Sequence, residues 1–414
     1  MIARLAAPHA RLLRCAPGFR LLFLAALASG IGTWLAFVAL VIDVTDRTAD
    51  ARWVSALLIA EFLPIVVIGL AAAPLADRLP RRSILIAADL FRAAVFVTLP
   101  FAPTALAIVL LALAAGIATS VFRPAAYAGL PNLVPDNELP QANGLLQTAD
   151  NLTWAIGALA GGALVAASGP DAAYWANAAS FVFSALLLVR IRESLEEARR
   201  ATQGHLSELA AGFALVVRSR PLLTVLVAWS IVMLASAAMS VAEVFLARDV
   251  FDGGDFGYGV LLAANALGLV VGGMAAGGLI ARHGMRGPYG LAIALMGAGL
   301  LVAAGAPNLW IAALFVALAG AGNGAAVVCN VVLVQRGAPD RLRGRAFAVL
   351  MSTGYGVLGV GMVAAGPFTN EFGARAAWMV AAGLCALGAA VALALLGREE
   401  SHERAGDPAL AGRA

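Results

Sequence analysis

Carboxylates placed inside long apolar runs are the residues of this 414-residue chain best suited to chemistry. Glu61 and Asp150 fall about 12 and 13 Å along the apolar runs that hold them, taking an ordinary helical rise. Ionisable groups at such depth are costly and usually face a cavity or a partner. Burial disfavours the charged form of a carboxyl, which is the property a proton carrier needs. Glu61 and Asp150 are therefore the candidates for proton coupling. Glu61 ranks first, because Asn151 and Thr153 beside Asp150 offer it hydrogen bonds; the competing role for Glu61 is a packing pair with Arg123. Asp89 and Arg92 are spaced i,i+3 and predict a pair on one helix face. Glu243 lies near the outer end of its run, where water is within reach. Asn265, Asn323 and Asn330 offer amides to a substrate or to a neighbouring helix. Trp34 and Trp154 lie deep, to stack on a ligand or fill a core, whereas Trp53, Trp310 and Trp378 fall where an interfacial belt is expected.

Other chemistries are excluded by what is missing. Every basic residue is Arg, so the Lys that a P-loop places on nucleotide phosphates is absent. Cys15, Cys329 and Cys385 show neither metal-site nor disulfide spacing. His9, His205, His283 and His402 fall in tails and polar loops without an HExxH pattern. No nucleophile–base set appears, so no enzyme and no cofactor are expected.

The elements that position these groups follow from composition. Residues are 62% hydrophobic and 13% charged, against about half and about a quarter in a soluble domain. The charges cluster between apolar runs of about twenty residues, the length of a transmembrane helix, which argues for lipid and against nucleic acid despite the net charge of +4. Spans are predicted at 19–42, 53–75, 83–102, 104–127, 141–167 and 172–189, then at 221–247, 256–280, 288–306, 308–334, 345–366 and 374–396. The first run is too long for a signal peptide's core and reads as a retained span. Of 28 Arg, four fall in outer loops (Arg47, Arg52, Arg248, Arg375) and two within spans (Arg92, Arg123), leaving 22 inside, so both termini are expected in the cytoplasm. The fold class is thus an all-α membrane protein of twelve transmembrane helices in two six-helix bundles. Its parts are an N-terminal segment 1–18, a bundle 19–189, a linker 190–220, a bundle 221–396 and a tail 397–414. Leu206, Leu209, Phe213, Val216 and Val217 share one face in the linker and predict an amphipathic helix on the membrane surface.

The halves repeat at a shift of 204 residues. Leu75 falls on Leu279, Arg78 on Arg282, and Pro135-Asp136 on Pro339-Asp340; Gly116, Gly157 and Gly162 fall on Gly320, Gly361 and Gly366. Parallel six-helix repeats place a substrate site near the midplane at their interface.

The sequence Ala73-Pro74-Leu75-Ala76-Asp77-Arg78-Leu79-Pro80-Arg81-Arg82 resembles the inner-loop signature G-x-L-a-D-r-x-G-r-k of the major facilitator superfamily, with Ala73 and Pro80 in place of two glycines. The second copy keeps Gly277, Leu279, Arg282, Gly284 and Arg286 but has Ala281 where the acid would be. Gly144, Gly157, Gly161 and Gly162 match part of the span-5 motif of the drug–proton antiporter branch, with Thr153 and Ala158 replacing a Gly and the Pro. The stretches 131–145 and 206–223 are similar to macrolide and siderophore exporters. The resemblance covers about 19–396. It implies a gating loop at Asp77, Arg78, Arg81 and Arg82, and a span-5 glycine face on which Gly161→Leu is harmful and Gly161→Ala mild. It also implies export of small amphipathic organic molecules by proton antiport and alternating access, from a monomer in the cell inner membrane. Arg123 lies nearer the inner end than the span-4 Arg of many drug antiporters, so that role is not carried over. A dedicated metabolite or siderophore exporter, an uptake permease, and a non-transporting sensor or assembly protein on the same scaffold are the alternatives.

Overall fold

The computed structural model describes residues 12–71, 80–193, 195, 213–339 and 342–406, with side chains described except at 65–71 and 397–406. Twelve long helices occur among them: α1 Pro17–Thr48, α2 Ala51–Ala71, α3 Arg81–Thr98, α4 Ala105–Gly129, α5 Leu139–Ser168, α6 Pro170–Val189, α7 Arg220–Phe245, α8 Gly254–His283, α9 Arg286–Ala304, α10 Leu309–Gly337, α11 Arg343–Phe372 and α12 Ala374–Gly406. Eleven of them are long and apolar enough to cross a bilayer. The remaining one, α2, has 21 residues at the predicted second span and borders the undescribed 72–79. Apolar side chains such as Phe101, Met274 and Val360 stay 70% exposed or more, as lipid-facing positions do when backbone groups are satisfied within each helix.

The chain divides into two compact units, Met1–Thr202 with Ala247–Ala263, and Gln203–Leu246 with Ala264–Ala414. Within the first, α1 packs on α5 and α6, α2 on α4, and α3 on α4 and α6; within the second, α7 packs on α11 and α12, and α9 on α10 and α12. The repeat extends through every helix. Helices α4, α5 and α6 begin 204 residues before α10, α11 and α12, and the other three pairs are within one residue of that shift. The turns repeat too. Gly169 (φ 77°) and Gly373 (φ 85°) are left-handed between the last two helices of each half, where a residue without Cβ is unstrained. Ala49 (φ 49°) and Asp252 (φ 50°) are left-handed between the first two.

The linker helix predicted from Leu206 and Leu209 lies outside the described residues; the segment 213–218 is helical, with Phe213 and Val217 exposed and Val216 buried. Trp310 is 66% exposed, as an interfacial residue would be. Trp378 is not a belt residue. It is fully buried, and its Nε1 donates to Met239 O at 3.1 Å, because an indole N–H taken from water needs an acceptor.

Candidate functional site

Asp89 and Arg92 form the pair that their spacing predicts. They are 0% and 4% exposed, and Arg92 Nη2 donates to Asp89 Oδ1. The guanidinium also lies 4.5 Å from the Phe122 ring and 4.3 Å from the Phe181 ring, so α4 and α6 close over the charge with π faces. A cation so enclosed fixes the packing of α3, α4 and α6.

Arg123 does not pair with Glu61. Its Nη2 donates to Asp150 Oδ2 at 2.6 Å, and Tyr127 Oη approaches the same oxygen at 3.4 Å. Asp150 is therefore held by groups on α4, not by its neighbours; the Thr153 hydroxyl instead donates to the Asp150 carbonyl at 2.9 Å. The pair is 56% and 37% exposed. Charges this open on spanning helices meet water or a bound molecule, since lipid would be prohibitive. One turn further along α5 from Asp150, Trp154 stacks on Trp34 with centroids 4.9 Å apart and 16° between planes. Each indole covers one face of the other.

Glu61 is half-buried in α2 and has no hydrogen-bond or ion-pair partner among the described residues. Asp43, Asp89 and Asp150, the other acids deep in α1, α3 and α5, each have an Arg. The backbone at Glu61 is fixed from two sides. Pro64 cannot donate to Ala60 O, and Gly116 of α4 lies so close that a Cβ there would meet Ala60 O at 3.0 Å and Glu61 O at 3.2 Å. The second unit repeats this contact, with Gly320 against Asn265 O at 2.2 Å for the same built atom. Asn265 is the residue 204 positions after Glu61. One unit thus keeps a titratable acid where the other has a neutral amide, and the shift in the sequence already placed one over the other.

Three of the four span-5 glycines are close contacts. A Cβ on Gly157 would lie 2.6 Å from Ile31 O, one on Gly161 2.7 Å from Leu35 O, and one on Gly162 2.9 Å from Asp255 O. Gly144 has open space. The expectation that Gly161→Ala is mild is overturned, because the obstacle is backbone, which cannot swing away like a side chain. The second unit has a tighter contact that the sequence reading missed: a Cβ on Gly268 or Gly272 would meet Ala317 O or Ala321 O within 2 Å, and one on Gly324 would meet Leu269 O at 2.0 Å. The spacing G-x-x-x-G in both α8 and α10 was the available signal.

Glu243 does not reach water. It is 2% exposed, and its Oε1 has no hydrogen-bond partner among the described residues. Asn323 is half-buried. Asn330, Trp229, Val331, Phe347 and Met351 are among the residues lining a largely apolar cavity of about 60 Å³ in the second unit.

The chain has matches among known proteins. The family model described as transmembrane secretion effector, a major facilitator group, matches residues 8–408. The chain belongs to this family. It is a transporter. The multidrug efflux pump Tap of Mycolicibacterium fortuitum is 26% identical over 374 residues, covering 87% of this chain and 91% of that protein. Macrolide efflux protein A of Streptococcus pyogenes is 23% identical over 248 residues, 58% of this chain and 61% of that protein. In fold, the chain is similar to a point mutant of the nucleoside transporter NupG, with a TM-score of 0.76 at 14% identity over 91% of this chain and 99% of that one. A bacterial homologue of the iron transporter ferroportin gives 0.75 at 15% identity, over 92% and 98%.

Of the inner-loop signature that marks this transporter, Asp77 and Arg78 lie outside the described residues. Arg81 and Arg82 begin α3. Arg81 Nη1 donates to Ala128 O at 2.9 Å and Leu195 O at 3.0 Å, and Arg82 Nη2 donates to Val189 O. The Ala128 and Val189 carbonyls are at the C-terminal ends of α4 and α6, where unpaired acceptors and the helix dipole favour a cation. At the opposite end of the first unit, Arg47 closes on Asp43 at 2.7 Å, and Arg248 bridges Asp46 at 2.6 Å and Asp255 at 3.3 Å. The i,i+4 spacing of Asp43 and Arg47 was legible in the sequence; the pairing of Arg248 with Asp46, distant along the chain, was not.

Proposed function

We propose that this transporter exports small amphipathic organic molecules from the cytoplasm in exchange for protons, with both termini cytoplasmic and the chain acting as a monomer. The observation that carries the coupling is the state of Glu61: a half-buried acid in mid-helix, without a partner among the described residues, in a unit whose other deep acids are each held by Arg. A carboxyl tied to Arg stays ionised, whereas one free of a cation in a poorly solvated place can exchange a proton. The outward direction is supported by the relatives named as efflux pumps, which align along most of this chain.

On this reading, Asp150 with Arg123 and Tyr127 offers a polar patch to the substrate beside the Trp34–Trp154 stack. Asp77, Arg78, Arg81 and Arg82 serve as the gating residues of the inner side, Arg81 and Arg82 from the first turn of α3. The discriminating experiment is a substrate screen in proteoliposomes with an imposed pH gradient, reading the direction of flux. Movement of amphipathic compounds toward the acidic side supports the proposal. Flux down the substrate gradient alone, indifferent to pH, refutes it.

A further inference from the structure

The two units treat the outer end of their first helix differently, and the difference isolates Glu243. In the first unit the acid is Asp43. Tyr174 Oη donates to its Oδ2 at 2.9 Å and Arg47 Nε to its Oδ1 at 2.7 Å, so both oxygens are satisfied. The shift of 204 residues sets Trp378 over Tyr174, Phe251 over Arg47 and Ala247 over Asp43. The acid of the second unit stands one turn earlier, at Glu243. Neither of the first unit's partners is kept: the indole N–H of Trp378 is taken by Met239 O, and the position of the Arg is apolar.

The surroundings supply no substitute among the described residues. Helix α7 packs against α10, α11 and α12. On α12, Arg375 is exposed and reaches Ala306 O at 3.4 Å, while Cys385 lies about three turns further in. On α11, Glu371 is exposed at the outer end, and Tyr355, Arg343 and Arg345 belong to the inner half. On α10, Cys329 and Arg336 also lie in the inner half. Arg220 begins α7, and beyond its end Arg248 is engaged by Asp46 and Asp255, with Asp249 next to it. Thr369 of α11 is a second buried group without a partner, at Oγ1. Gly361 packs against Ala237. Thr369 and Glu243 stand about 12 and 9 Å outward of those residues, within one turn of the same level. Immediately after Glu243 the chain passes into a π-helical turn, Leu246–Val250, a local irregularity found often at functional positions.

An ionised carboxylate with an oxygen left bare in apolar packing is uncompensated, and a proton is the smallest cation that can reach a side chain 2% exposed. We propose that Glu243 is a second proton-carrying site, so that each transport cycle moves two protons, one on Glu61 and one on Glu243. This rests on the proton-antiport reading above. In the arrangement described, Glu243 holds its proton, and it releases it only when α7 exposes the carboxyl to water.

The number of protons sets a thermodynamic ratio that slow turnover does not alter. With a neutral substrate and the membrane potential clamped at zero, one pH unit sustains a substrate gradient of about tenfold for one proton and about a hundredfold for two. The wild type should reach about a hundredfold and Glu243→Gln about tenfold, with counterflow at equal pH retained as proof of a folded carrier. A wild-type gradient of about tenfold, or a Glu243→Gln gradient equal to the wild type's, overturns the second site while leaving antiport standing. No pH-driven gradient in the wild type overturns both. The unmodified protein gives a second measurement, for use if the variant does not fold. A hydrophobic carbodiimide adds to protonated carboxyls, so peptide mapping should find the adduct on Glu243 and its yield should fall as pH rises. No adduct, or a yield independent of pH, refutes the proposal.

Discussion

Glu61→Gln keeps the volume and hydrogen-bonding capacity of the side chain and removes only its proton. On the two-proton account this variant sustains a pH-driven substrate gradient about tenfold smaller per pH unit than the wild type in proteoliposomes, yet retains substrate exchange at equal pH; an undiminished gradient would move the role to Asp150. Asp89→Asn tests the opposite kind of residue. It leaves Arg92 buried between Phe122 and Phe181 without its counter-ion, a change expected to cost about 3–5 kcal/mol. Thermal unfolding in detergent should show a clear loss, and replacing both partners by apolar residues should recover much of it. The Asp89–Arg92 pair was legible because both residues lie on one helix at a fixed angular offset. The Arg123–Asp150 pair was not, because span boundaries uncertain by a few residues leave the facing sides of two helices undetermined. Burial defeated the reading of Glu243 for a similar reason: depth can be counted along a run, but the face cannot.

At the scale of helices, the repeat was readable and the closeness of approach was only partly so. Glycines mark where contact is available, and α5 uses three of its four. Gly161→Ala should lower stability by about 1–3 kcal/mol, since its new methyl meets the Leu35 carbonyl. Gly144→Ala has room and should raise it by about 0.5–1 kcal/mol through helix propensity. Unfolding temperatures of the two variants, measured side by side, check the contrast; equal behaviour would mean that α5 and α1 are not in this register. The G-x-x-x-G spacings of α8 and α10 carried the same information in a form easily mistaken for a composition rich in small residues.

At the scale of the molecule, the twelve spans, the two repeats and the family were readable because lipid permits few architectures and the charges punctuate them. The substrate was not readable, since apolar and small residues serve helix packing and ligand binding alike. The proposed proton coupling rests on an acid at Glu61 where the repeat has Asn265 and on acids elsewhere in that unit held by Arg, and the proposed export on relatives named for efflux. The most direct test runs the coupling backwards. A substrate gradient is imposed across proteoliposomes at equal pH and zero potential, and internal pH is followed with a trapped dye. The account predicts protons moving opposite to the substrate in the wild type and fewer protons per substrate in Glu61→Gln. Substrate movement with unchanged internal pH in the wild type would contradict it.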